Sequence, residues 1–223
     1  MKRIAILRPE PGASRTLARA QRLGLDAHVV PLFALEAIDW SVPDPGAFDA
    51  LLLTSANAAR LAGPQLSRLA HLPVHAVGPA TAAAALEAGL TVASCGTGNA
   101  ADLRATLNPS QRLLHLAGEE RMDAGPATEA ISVYRARAID CPPGFKQIQG
   151  QVALVHSPRA ARRIGELADG LEISRAQIAI AAISAQAAAA AGRGWARIEA
   201  APAPLDDALL ALAAELCKMV GEP

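Results

Sequence analysis

The chain has 223 residues, a formal net charge of 0 and 52% hydrophobic residues, of which aromatics make only 3% of the total. A neutral chain lacks the basic face that general nucleic-acid binding or a polybasic membrane surface requires. With so few rings, the core must be packed by Ala, Leu, Val and Ile, in one large α/β domain or two smaller ones.

From the N-terminus, Ile4 to Leu7 reads as a short apolar strand, with no long hydrophobic segment or cleavage site behind it, which predicts a cytoplasmic protein. Cys95, Cys141 and Cys217 are odd in number and without CxxC spacing, as expected of reduced thiols. Ser14 is a predicted cap for a helix over Arg15 to Leu23, closed by Gly24. Ala27 to Leu32 reads as a second strand continued by the alternating Phe33 to Ile38, before a Pro-rich loop. Asp49 to Thr54 is a buried strand running into Ser55 and a helix, and Leu66 to Leu72 a short helical link. Val74 to Val77 then meets Gly78, Pro79 and a run of strong helix formers ending at Gly89. Thr91 to Cys95 is the next strand, and Asn99 caps a helix through Leu107. Arg112 to Leu116 and Ile131 to Ala138 follow as strands, then Val152 to Val155 with a helix after Ser157. Ile178 to Ile183 leads into Ser184 and a poly-Ala helix. Arg197 to Ala200 is the last strand, and Leu205 to Met219 a closing helix capped near Asp206.

Ten strand candidates alternating with helices are the pattern of parallel βα units. The chain also repeats itself. Leu51 to Arg60 matches Ala153 to Arg162, Ala76 to Leu86 matches Ala182 to Gly192, and Arg3 to Glu10 matches Arg112 to Glu119, all at an offset near 106. One long period argues for two similar halves and not for a solenoid. The strand order further predicts an insertion. Lobe one comprises residues 1–34 and 140–223, lobe two residues 38–136, and the crossings at 33–38 and 133–139 pair as a two-stranded linker. Open α/β sheets bind ligands beyond the C-terminal ends of their strands, so two facing lobes are expected to share a cleft there.

The chemistry on offer at those ends is hydroxyls, spare amides and cations. No GxSxG, Walker A, GxGxxG or HExxH motif occurs. His71 and His75 are separated by Pro73, which spoils a helical metal pair, and Gly96-Thr97-Gly98 lacks the third glycine and lysine of a phosphate loop. Thr54-Ser55, Gly78 with Thr81, Ser157 and Ser184 stand at strand ends or helix starts, with Arg8, Arg60, Arg121, Arg159 and Arg162 near them. Each serine alone reads equally as a helix cap. Together, helix N-termini and arginines suit a ligand bearing several carboxylates or phosphates. Tyr134, the single tyrosine, falls on a crossing strand.

The ordered set LLLTSANAAR, AVGPATAAAALEAG, CGTGNAADL, SVYRA, LVHSPRAAR and AISAQAAAAAG resembles the uroporphyrinogen-III synthase family over nearly the whole chain. That resemblance implies two flavodoxin-like lobes joined by a two-stranded β linker. It implies a lyase that closes hydroxymethylbilane, a linear tetrapyrrole with eight carboxylate arms, inverting ring D with loss of water and without cofactor or metal. In the family's usual mechanism the ring A hydroxyl departs, the substituted carbon of ring D attacks the resulting azafulvenium cation, and a spiro intermediate fragments and recloses. Tyr134 matches the tyrosine of the family's VY motif and is expected to assist hydroxyl departure. The candidate substrate contacts are Arg8, Ser55, Asn57, Gly78 and Thr81, and further along Gly118, Arg121, Ser157, Arg159 and Ser184. The second copy of the GPxT motif reads Ser184-Ala185-Gln186-Ala187, so the counterpart of Thr81 carries no hydroxyl. The implied partner is the small-molecule substrate, received from hydroxymethylbilane synthase by a monomer. Two rivals remain at this point: a non-enzymatic two-lobed polycarboxylate-binding protein and a nucleotide-using enzyme on a doubly wound sheet.

Overall fold

The computed structural model describes residues 3–97, 100–121 and 123–219. In chain order its elements are β1 (Ile4–Ile6), α1 (Gly12–Arg22), β2 (Ala27–Val29), β3 (Phe33–Ala37), β4 (Ala50–Leu53), α2 (Ala56–Leu61), β5 (Val74–Ala76), α3 (Pro79–Glu87), β6 (Val92–Cys95) and α4 (Ala100–Ala105). There follow β7 (Leu113–Gly118), β8 (Thr128–Ala138), β9 (Val152–Val155), α5 (Pro158–Gly170), β10 (Ala179–Ala182), α6 (Ala185–Ala190), β11 (Arg197–Ala200) and α7 (Asp206–Met219). Among the described residues no helix is long and apolar enough to cross a membrane.

The chain is mixed α/β, with two parallel sheets in two compact units. One unit is Met1–Ala34 with Ala138–Pro223, the other Leu35–Arg137. The first unit's sheet runs β11-β10-β9-β1-β2, every neighbouring pair parallel. The second sheet runs β3-β8-β7-β4-β5-β6. Its strands from β8 to β6 are parallel. β3 lies against β8 in the opposite direction: Ile38 N–H donates to Val133 C=O at 3.1 Å and Ile139 N–H to Leu32 C=O at 3.0 Å.

Central strands covered by helices on both faces are expected to be apolar, and apart from His75 of β5 and His115 of β7 they are. β4, β7, β9 and β10 are buried along their whole length, whereas the edge strand β6 alternates. In the second unit Leu51, Leu53, Val74, Leu114 and Leu116 pack under the alanines of α2 and α3. In the first, Ile4, Ile6, Val152 and Leu154 pack under the leucines of α7. Alanine-faced helices approach closely, and this is how a core with so few rings closes its volume.

Three local expectations change. The single strand from Ala27 through Ile38 is two strands in different sheets: Val30 and Leu32 still donate their N–H groups to Ile6 and Leu7 C=O at 2.9 and 3.1 Å, and from Phe33 the chain joins the other sheet. α1 starts at Gly12 with no side-chain cap on Pro11, and Ser14 instead donates its N–H and Oγ–H to the Glu10 carboxylate at 3.0 and 2.8 Å. The link predicted at Leu66 to Leu72 is a 3-10 turn over Pro64–Leu69. The Asn99 cap lies outside the described residues.

Ala58 is fully buried in α2, whereas Ala83 is exposed in α3. Ala58→Leu is expected to destabilise the protein by about 1–3 kcal/mol through overpacking. Ala83→Leu should stay within about 0.5 kcal/mol. Urea unfolding of the two variants beside the parent checks both.

Candidate active site

In a parallel sheet all strand C-termini emerge at one edge, and the helices that follow begin there. At this edge of the second unit, β4 ends at Thr54-Ser55. Ser55 is the N-cap of α2, its Oγ accepting the Asn57 N–H at 3.2 Å, so the Asn57 amide is already engaged. Gly78 caps α3 with extended backbone, φ −172, and the N–H groups of Thr81 and Ala82 return to its carbonyl. Thr81, expected to present its hydroxyl at this edge, is instead buried. It belongs to the inward stripe Thr81, Ala84, Ala85, one helical turn apart.

β7 leads to Gly118, which stands in register with Tyr134 of β8 next to a shift in the ladder. A side chain at Gly118 would place its Cβ 2.9 Å from Tyr134 Cζ and 3.0 Å from the phenol oxygen. The tyrosine therefore lies directly over the Gly118 backbone, its flank against the second unit's core. Arg121, on the loop leaving β7, donates from Nη1 to Ser132 Oγ at 2.6 Å and to Gly118 C=O at 3.3 Å. Gly118, Arg121 and Tyr134 are thus one assembly. Arg60 is not part of it: it is exposed in the last turn of α2.

Beneath the same edge is a residue the sequence reading passed over. His115 on β7 is 1% exposed, with Nε2 2.9 Å from Thr54 Oγ1 and Nδ1 buried without a partner among the described residues. Burial, reinforced by the charge of Arg121, lowers its pKa to about 4. It is neutral in the folded protein at neutral pH.

In the first unit, Ser157 caps α5 by accepting the Ala160 N–H at 3.1 Å, and Ser184 caps α6 by accepting from Ala187 at 3.2 Å. Each hydroxyl keeps its own hydrogen to donate. The Arg159 guanidinium lies over the Phe33 ring, 4.3 Å from its centre. Arg8 follows β1 and reaches Asp206 at the start of α7, with Nη1 3.1 and 3.3 Å from the two carboxylate oxygens. Thr16, fully buried, donates to Asp206 at 2.7 Å; Arg19 stands 3.5 Å from the same oxygen and His156 Nε2 3.3 Å from the other. Burial alone would raise the Asp206 pKa, but the close approach of His156, the Thr16 hydroxyl and the charge of Arg8 hold it far below the usual carboxylate range. Asp206 does more than the helix capping expected of it. Its carboxylate is the centre of a charge cluster, and only folding brings Arg8, Thr16, His156 and Asp206 together.

A family model described as uroporphyrinogen-III synthase HemD matches residues 14–211. Among solved structures, the chain is similar to uroporphyrinogen-III synthetase from Helicobacter pylori 26695, at 17% identity and a TM-score of 0.66, over 97% of this chain and 100% of that one. It is also similar to a mutant uroporphyrinogen III synthase from the extremely thermophilic bacterium Thermus thermophilus, at 18% identity and a TM-score of 0.51, over 98% and 100%. At these identities the two likenesses speak to the fold. Among curated proteins none matches the chain.

Between pH 6.5 and about 4 unfolded His115 binds a proton that folded His115 refuses, so stability falls as pH drops through that window. The full gap corresponds to roughly 3 kcal/mol. His115→Gln removes that component, and urea midpoints from pH 7 to pH 4 should fall less steeply in the variant than in the parent.

Proposed function

The chain belongs to the uroporphyrinogen-III synthase family, and from that membership we infer how its residues divide the work of the family's reaction. It is a cyclising lyase of tetrapyrrole biosynthesis, acting on hydroxymethylbilane; the rival reading as a non-enzymatic binding module is not favoured.

We assign the chemical step to Tyr134, and the observation that carries the assignment is its placement over Gly118. The phenol, inside β8, lies over Gly118 at the end of β7, where the neighbour has no Cβ to obstruct it, and the same Gly118 accepts from a cation, Arg121, suited to a substrate carboxylate. The phenol donates its proton as the ring A hydroxymethyl C–O bond breaks, so that water leaves and an azafulvenium cation remains. The substituted carbon of ring D attacks this cation to form the spiro intermediate. That intermediate fragments and recloses through the unsubstituted carbon, which then loses its hydrogen as a proton. One proton is taken up and one released, and the net loss is a single water. Since the cation also closes without inversion in solution, the protein's larger task is positioning, worth several kcal/mol in well-oriented systems.

Orientation falls to the carboxylate arms. Arg8, Arg121 and Arg159 supply charge, and Ser55, Ser157 and Ser184 supply hydroxyl hydrogens beside helix N-termini. Gly78 and Asn57 contribute backbone and amide donors. Buried Thr81 acts through the packing of α3 and makes no substrate contact. We further propose that the two units are flavodoxin-like lobes joined through residues 33–38 and 133–139, the protein acting in the cytoplasm as a monomer supplied by hydroxymethylbilane synthase. The first unit's order, renumbered within the unit, is 2-1-3-4-5, the flavodoxin order, which supports this reading.

The test is the isomer ratio of uroporphyrinogen formed from freshly generated hydroxymethylbilane. The parent protein should give mainly type III. Tyr134→Phe should lower the type III rate by about 10²-fold or more if the phenol is the acid. Gly118→Ala, which drives a methyl into the ring, should lower it about ten-fold with little change in thermal stability. Type I product alone from the parent would overturn the reading. A loss below three-fold in Tyr134→Phe would move the burden from acid catalysis to positioning.

A further inference from the structure

Arg8 is held at one nitrogen. Among the described residues, every hydrogen bond it makes to the protein is through Nη1, to the Asp206 carboxylate and, at 3.4 Å, to Thr16. Its opposite edge runs along the start of α1. A Cβ on Gly12 would lie 2.5 Å from Arg8 Nε, 2.8 Å from Cζ and 2.9 Å from Nη2. The guanidinium therefore fits only because residue 12 has no side chain. Asp206 is only 13% exposed, while the Arg8 side chain retains 29% exposure. The Nε and Nη2 donors, the parallel pair that grips a carboxylate with two hydrogen bonds, have no acceptor among the described residues.

One carboxylate serves two arginines and a buried histidine here, and burial lowers the histidine's pKa. Arg19 stands 3.5 Å from Asp206 and His156 Nε2 3.3 Å from it, and Asp207, 81% exposed, is the only other acid paired with these arginines among the described residues. Asp206 therefore orients Arg8 while being shared with Arg19.

We propose that Asp206, with Thr16 and Gly12, positions Arg8 so that its Nε–Nη2 edge receives one carboxylate arm of the substrate, making Asp206 a positioning residue for substrate binding. This role rests on the assignment of Arg8 as a substrate contact. Arg8→Lys keeps the charge and loses the fork. Asp206→Asn loosens the hold on Nη1. Gly12→Ala displaces the guanidinium without touching any charge.

Steady-state kinetics on hydroxymethylbilane, with type III product resolved from type I, separate the possibilities. Arg8→Lys, Asp206→Asn and Gly12→Ala should each raise KM about ten-fold, with kcat within about two-fold. The Arg8→Lys/Asp206→Asn double variant should be no worse in KM than Arg8→Lys alone, because both changes disable one contact. An unchanged KM in Arg8→Lys would remove Arg8 from the substrate contacts and the positioning role with it, while type III synthesis by the parent kept the enzyme reading intact. A raised KM in Arg8→Lys with additive or absent effects of Asp206→Asn and Gly12→Ala would overturn the positioning role alone. If Asp206→Asn fails to fold, Gly12→Ala decides, with its melting temperature as control.

Discussion

A parallel strand buried on both faces has nowhere to show polar chemistry except at its ends. The rest of this molecule depends on that constraint. β4, β7, β9 and β10 admit no solvent along their lengths, so the chain's hydroxyls and cations gather where strands stop and helices start. The histidine in the middle of β7 shows the alternative. His115 remains in its layer only as a neutral ring, with Thr54 for a partner and one nitrogen unsatisfied. A charged form would have no comparable place to go.

The repeat in the sequence acquires a topological meaning from the sheets. Read from one edge, the strands of the first unit are β11, β10, β9, β1, β2, and those of the second, β3 aside, are β6, β5, β4, β7, β8. The matched stretches place β9 on β4, β10 on β5 and β1 on β7, at corresponding positions of the two sheets. Each unit therefore takes two strands from one copy of the repeat and three from the other. The first unit is closed by strands more than a hundred residues apart in the chain, β1 against β9.

What could be read from sequence was what depends on neighbours along the chain. Apolar runs bounded by Gly, Pro and Ser located the strands and helix starts, and Ser55, Ser157 and Ser184 stand as helix caps. What could not be read depends on neighbours across the fold. Thr81 looked like an edge hydroxyl because it sits in a helix's first turn, yet the stripe it shares with Ala84 and Ala85 turns it inward. Asp206 looked like a cap because acids favour first turns, while its partners Arg8, Thr16 and His156 come from three other segments.

Two glycines, one in each unit, make room for a polar side chain by what they lack. Neither Gly12 nor Gly118 has the left-handed backbone that would require glycine on conformational grounds. Each is needed because a polar group lies where its Cβ would be: the Arg8 guanidinium over Gly12, the Tyr134 phenol over Gly118. Charge attraction alone would leave a long side chain free to swing, and packing alone would leave an unsatisfied donor. For Arg8, the Asp206 carboxylate on one side and the missing methyl on the other together set the position and the orientation of the guanidinium. For a reaction whose cation can close in two ways, a group already in place costs no reorganisation at the moment of choice, and this is where a protein can favour the inverted product.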